Sequence, residues 1–420
     1  MSAHIPPLGR VLPRHAYGAT MEALGDTRVA LLTGARQSGK STLAREVTRS
    51  REATVRNLDH AATRQAAQFD PTSFVRAPGL LAIDEVQRVP ELLLAIKEVV
   101  DADQRPGQFL LTGSARLLGM RGVPDALPGR METIELWPLS QGEIDESGDG
   151  FVDAVFDQGA DLTHHSSEDR AGYIDRLVRG GFPEAVAREG RRRETFFDNY
   201  VADLINRDVI QLSEIERGPQ MRALVRLLAA RSGGLLVPGN LATELGLARP
   251  TIERYLSLLE EVFLIKRIPA WSRNLSSRAV STAKVAMVDS GIAANLLGQD
   301  ARSLARLDAP LGGLLEGFVA MEISRQLTWS YARAEVFHYR TKDKVEVDIV
   351  LEDRRGRVVA IDVKASATVR ADDFRGINHL ASRLGDDLLA GLVLYTGSET
   401  LAFGPKNRAM PIAAIWELAQ

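Results

Sequence analysis

The first 140 residues alternate short apolar runs with stretches of helical spacing. Candidate strands fall at 28–33, 54–58, 80–84 and 108–112, and the segment after the first of them, 41–48, has helical periodicity. Runs that are apolar throughout, rather than at every second position, mark strands covered on both faces, so the pattern predicts a parallel sheet sandwiched by helices. From 171 to about 269 the spacing is helical, and from about 316 mixed strands and helices return. Between the first two regions, residues 141–169 hold nine acids and no lysine or arginine. With their glycines and serines they read as an exposed acidic linker, with a regulatory acidic segment as the alternative. The expected division is therefore 1–140, 141–170, 171–280 and 281–420.

Composition narrows the picture only slightly. A chain of 420 residues, 45% hydrophobic and 25% charged, can build several ordinary globular cores. The formal net charge of −3 singles out no partner. The absence of cysteine excludes disulfides, thiolate zinc sites and thiol nucleophiles, and fits a reducing compartment. No apolar leader or run of membrane-spanning length is present, so the expectation is a cytoplasmic protein with no membrane partner.

Chemistry enters at Gly34-Ala35-Arg36-Gln37-Ser38-Gly39-Lys40-Ser41, followed by Thr42. The two glycines permit positive φ and close approach of backbone to a ligand. Successive N–H groups at the start of a helix make an anion cradle. Lys40 is placed to meet the β- and γ-phosphates, and the Ser41 hydroxyl to bind Mg2+. An apolar strand before the loop and a helix after it supply the context that a chance glycine-rich turn lacks. The reading is nucleotide binding through residues 34–42.

A second segment strengthens the first. The run 79–83 ends in Asp84 and Glu85, 44 and 45 positions after Lys40, and the carboxyl ends of parallel strands are where such sheets bind ligands. Asp84 would hold Mg2+ and Glu85 would polarise the attacking water, which predicts hydrolysis. A third strand ends in Thr112-Gly113-Ser114; Thr112 or Ser114 would bond the water or the γ-phosphate, or this is a plain strand-to-loop turn. Arg130 is a candidate arginine finger, acting from a neighbouring copy if the chain forms a homo-oligomer, against the alternative of a surface arginine.

Residues 240–256 have the outline of a helix-turn-helix, with Leu241 and Leu245 facing inward, Gly246 at the turn, and a strand at 264–268 completing a winged helix. Thr251, Arg254 and Arg249 would face DNA, although such units also serve as packing or protein-interaction modules.

The order of these motifs, with Trp137-Pro138-Leu139-Ser140, Gly180-Gly181-Phe182-Pro183-Glu184 and 284–291 further along, resembles a prokaryotic AAA-type ATPase family with a C-terminal domain of unknown function (DUF4143). The resemblance spans nearly the whole chain and implies an α/β P-loop NTPase sheet that binds and hydrolyses ATP. Near the C-terminus, Asp348 on one strand and Asp362-Val363-Lys364 on the next resemble the core of PD-(D/E)xK nucleases. That likeness implies a restriction-endonuclease-like α/β domain. Asp348 and Asp362, with Glu316 on a preceding helix, would bind Mg2+ or Mn2+, and Lys364 would orient the metal-activated water. Such folds also persist as inactive binding modules, so DNA cleavage and mere DNA binding are both left open.

Overall fold

A computed structural model of the chain describes residues 9–113, 127–209, 218–274, 276, 278 and 281–419. These residues form two compact units, one built from Val11–Leu139 with Glu261–Phe263, the other mainly from Ser140–Glu260 and Leu264–Gln420.

The first unit opens with helix α1 (Ala16–Asp26), strand β1 (Val29–Thr33) and helix α2 (Lys40–Arg49), followed by β2 (Ala53–Asn57), β3 (Leu80–Asp84), β4 (Phe109–Gly113) and β5 (Met131–Glu135). The strands pair in parallel in the order β2-β3-β4-β1-β5. Val29 and Leu31 enter one core with Ile83, Phe109 and Leu92, while Ala30 and Leu32 enter another with Leu43, Val47 and Leu110. Successive side chains of β1 are thus buried on opposite faces, which is why its sequence reads as a continuous apolar run. The four expected strands are present, shifted by a residue at most at either end. β5 escaped the sequence reading because Met-Glu-Thr-Ile-Glu, at the sheet edge, buries only Ile134 among its side chains.

The second unit contains the helices Arg170–Arg179, Gly190–Asp203, Gly218–Ala230, Pro238–Leu245 and Arg249–Glu261, then β6 (Ile265–Ile268) and β7 (Lys284–Met287), which pair antiparallel. Its large sheet is mixed: β8 (Glu335–Arg340), β9 (Glu346–Glu352) and β10 (Val358–Lys364) run antiparallel, β11 (Leu388–Tyr395) and β13 (Asn407–Pro411) extend it in parallel, and β12 (Leu401–Ala402) closes the edge. Helix Arg375–Leu384 presses Ile377 and Leu380 onto Val350, Ala360 and Val393. Helix Leu311–Gln326 is buried from Gly317 to Gln326 on every side.

Residues 141–169 are not an exposed linker. Ser140 caps helix Gln141–Asp145 in a capping box with Glu143, and helix Phe151–Gln158 buries Phe151, Val152, Val155 and Phe156. Several of the acids there find partners within the unit: Asp145 pairs with Arg176 at 2.6 Å, and Asp153 accepts from the Ala332 amide at 2.9 Å. Charge composition misled because capping and internal ion pairing consume acids just as solvation does. Among the described residues no helix is long and apolar enough to cross a membrane.

Candidate functional site

The loop between β1 and α2 takes the shape that its sequence demands. Gly39, with φ of 103°, caps α2 in a conformation closed to most side chains, and Gln37 also has positive φ. Gly34 has a further reason to be glycine: a Cβ there would lie 2.1 Å from the carbonyl oxygen of Leu136. The Leu136 amide donates to Thr33 O at 2.7 Å, so the chain leaving β5 runs tightly against the loop's entry. Lys40 is buried, and its Nζ donates to Ala35 O at 2.7 Å and Gly34 O at 3.0 Å. Burial lowers its pKa to about 8, against the upward pull of Glu85 and Asp84. Arg14, just ahead of α1, donates to Ser38 O and to Trp137 O, both at 2.7 Å, and so braces the loop from behind.

The two acids expected beside the loop are there. Ser41 Oγ donates to Asp84 Oδ1 at 2.9 Å. Thr112 Oγ1 also donates to Asp84 and accepts the Glu85 amide at 3.1 Å. Asn57, at the end of β2, donates to Asp84 Oδ2 at 3.2 Å. Sequence reasoning missed Asn57; its only signal is a polar residue ending the strand next to Asp84. Glu85 sits at φ 62°, a strained setting for a non-glycine residue, and burial raises the pKa of its carboxyl although Lys40 opposes the shift. These side chains line a cavity of about 310 Å3 that Arg45 also borders. Ser114, the alternative to Thr112, lies outside the described residues.

Arg130 is not part of this cluster. It precedes Met131, which pairs with Val29 at the start of β1, whereas the loop leaves from the strand's other end. About 13 Å of strand separates the two. Its guanidinium pairs with Asp101 instead, at 3.1 Å for one of the two contacts. A finger role toward its own chain's loop is therefore corrected.

At the other end of the chain, Asp348 and Asp362 face each other on β9 and β10, with the Asp348 amide donating to Asp362 Oδ1 at 3.0 Å. Burial, with Asp348 alongside, raises the Asp362 pKa to about 7, and Lys364 acts on it from two positions on. Glu316 is close by, its pKa also pushed up by burial. Among the described residues no group of three or more ligating side chains could hold a metal ion. Lys284, on β7, is buried among these acids with Nζ 2.9 Å from Asp348 Oδ1 and 2.8 Å from Glu346 Oε1. The other Asp348 oxygen accepts the Val363 amide at 3.0 Å. Both Asp348 oxygens are thus turned toward an ammonium and a backbone amide, and these contacts are not a metal's oxygen shell. The signal for Lys284 in the sequence is a charge heading an otherwise apolar strand.

Two motifs quoted earlier are architectural. Asp289 is fully buried, accepts the Gly181 amide at 2.7 Å, and caps helix Ser290–Leu296; a Cβ on Gly180 would strike its carboxylate. Helix Pro238–Leu245, Gly246 at φ 62° and helix Arg249–Glu261 follow the expected helix-turn-helix order, with Arg254 exposed and Arg249 paired to Glu253 at 2.8 Å.

Residues 26–145 match the AAA domain family, 311–415 a domain of unknown function (DUF4143), and 170–303 another domain of unknown function (DUF8612). Uncharacterized proteins of Mycobacterium tuberculosis and Mycobacterium bovis are each 29% identical over 419 residues, covering 96% of this chain and 86% of theirs. An uncharacterized protein of Haemophilus influenzae is 23% identical over 257 residues, covering 58% of this chain and 57% of its own. Among solved structures, the Walker-type ATPase of Pyrococcus abyssi aligns with a TM-score of 0.43 and 17% identity, over 71% of this chain and all of that one. Residues 26–145 are thus similar to AAA-type, ATPase-like P-loop modules suited to nucleotide binding.

Proposed function

We propose that the protein is a Mg2+-dependent ATP hydrolase whose nucleotide state governs a binding surface elsewhere in the chain. The observation that carries this is the convergence of Lys40, Ser41, Asp84, Glu85 and Thr112 at the carboxyl ends of β1, β3 and β4. In this reading the amides of residues 34–42 cradle the phosphates, and Lys40 exchanges its carbonyl partners for phosphate oxygens. Ser41 and Asp84, already in contact, would hold Mg2+, which supplies charge neutralisation for the leaving phosphates. Thr112 and Asn57 fix the Asp84 carboxylate. Glu85 takes the proton of the attacking water, its raised pKa bringing it nearer to the operating pH.

For the output, the arrangement supports binding rather than cutting. A helix pair followed by the antiparallel β6 and β7 has a winged-helix outline, and a helix leading into three antiparallel strands and a parallel fourth has a nuclease-like one. Lys284 in the acid cluster favours the inactive, DNA-binding or regulatory alternative over cleavage.

Titrating the protein and K40A with a fluorescent ATP analogue in Mg2+ tests the nucleotide reading. Binding by the parent chain and at least a hundredfold loss in K40A are expected; equal affinity would sink it. A salt-dependent shift of duplex DNA, weakened by R254A, tests the second reading. Mass measurement with and without ATP tests the expected homo-oligomer.

A further inference from the structure

Four carboxylates, from Glu316, Glu346, Asp348 and Asp362, gather around β9 and β10. Lys284 is the cation at their centre, its side chain 4% exposed and its Nζ within 2.8, 2.9 and 3.6 Å of Glu346, Asp348 and Glu316. The remaining charges nearby are accounted for. Arg340 pairs with Glu346 from outside, Lys364 acts on Asp362, and His338 is held neutral by burial, its pKa lowered to about 4.

The backbone that carries the ammonium is held on both sides. Lys284 is bridged to Leu235 on one side and paired with Ile268 of β6 on the other. Glu316 is equally confined, because Gly233 approaches so closely that a Cβ there would sit 2.9 Å from the Glu316 Cβ. A divalent ion needs about six oxygens at roughly 2.0–2.6 Å, and here one oxygen of Asp348 and one of Asp362 are spent on backbone amides.

We propose that Lys284 is a built-in cation, taking the position that the nuclease likeness assigns to a metal, so that the C-terminal module neither binds nor uses a divalent ion. The acids then serve as a lock joining β7 to β9. A buried ion pair broken on one side leaves uncompensated charge, which is far more costly than removing both partners. Removing the ammonium should therefore both destabilise the unit and open a place for an external cation.

The test uses the full-length, nucleotide-free protein. Free Mn2+ is followed by electron paramagnetic resonance in the parent chain, K284M, D348N and K284M/D348N, alongside their melting temperatures. The parent chain should show no Mn2+ site that D348N removes. K284M should gain one site, absent in K284M/D348N; weak Mn2+ binding at Ser41 and Asp84 would persist in all four and so is distinguishable. K284M should melt about 5 °C or more below the parent, and K284M/D348N should recover part of that loss. If K284M is too unstable to titrate, the recovery in the double variant still decides the matter. An Asp348-dependent Mn2+ site in the parent chain, a folded K284M without a new site, or a double variant no more stable than K284M would each overturn the proposal.

Discussion

Ser41 and Asp84, 43 positions apart, are joined by a hydrogen bond of 2.9 Å from hydroxyl to carboxylate. The contact ties the first turn of α2 to the tip of β3. Thr112 and Asn57 hold the same carboxylate from β4 and β2, so Asp84 is fixed by one helix and two neighbouring strands.

Thr112 is therefore expected to matter through Asp84 and the Glu85 amide. T112A should lower ATP turnover by about tenfold or more, with little change in nucleotide affinity, since a hydrogen bond to a charged group is worth about 1.5–3 kcal/mol. T112S, which keeps the hydroxyl, should recover most of the rate. Steady-state phosphate release with a parallel binding titration separates these effects; equal loss in both variants would point to packing instead.

Lys40 gives a pH dependence of definite sign. Its pKa, lowered to about 8 by burial, means that the ammonium predominates at pH 7 and the neutral amine at pH 9. Phosphate binding needs the ammonium, so ATP affinity should fall as pH rises through 8, by roughly tenfold between pH 7 and 9. A dissociation constant that stays flat across that range contradicts the assignment.

Gly34 should fail as alanine for a reason that is not chemical. The new methyl group would meet the backbone of Leu136, which cannot swing aside like a side chain. G34A should destabilise the fold by about 2 kcal/mol or more, whereas G18A, in open space on α1, should be neutral or slightly stabilising. Thermal unfolding of the two variants gives the comparison.

Much of the first unit was legible because its signals are local. A continuous apolar run, a glycine-rich loop and a strand ending in Asp84-Glu85 each follow from chemistry within a few residues. Asp348 and Asp362 were legible as a facing pair for the same reason. What escaped depends on contacts distant in sequence. Nothing near Gly34 announces the Leu136 carbonyl, and nothing near Asp348 announces Lys284, 64 positions earlier. The acidic stretch 141–169 was misread because composition does not distinguish an acid facing water from one facing Arg176 or a helix amide. That Arg130 stands away from its own chain's loop was not legible, because a motif's order along the chain does not say at which end of a sheet it emerges.

If Glu85 drives hydrolysis at a site that Lys40 and Ser41 assemble, its amide variant must lose turnover while keeping nucleotide. The most direct test is Mg2+-dependent phosphate release by the parent chain and E85Q, each also titrated with an ATP analogue. Turnover by the parent, a loss of about a hundredfold or more in E85Q, and nearly unchanged nucleotide affinity are expected. Undiminished turnover in E85Q, with binding intact, would contradict it.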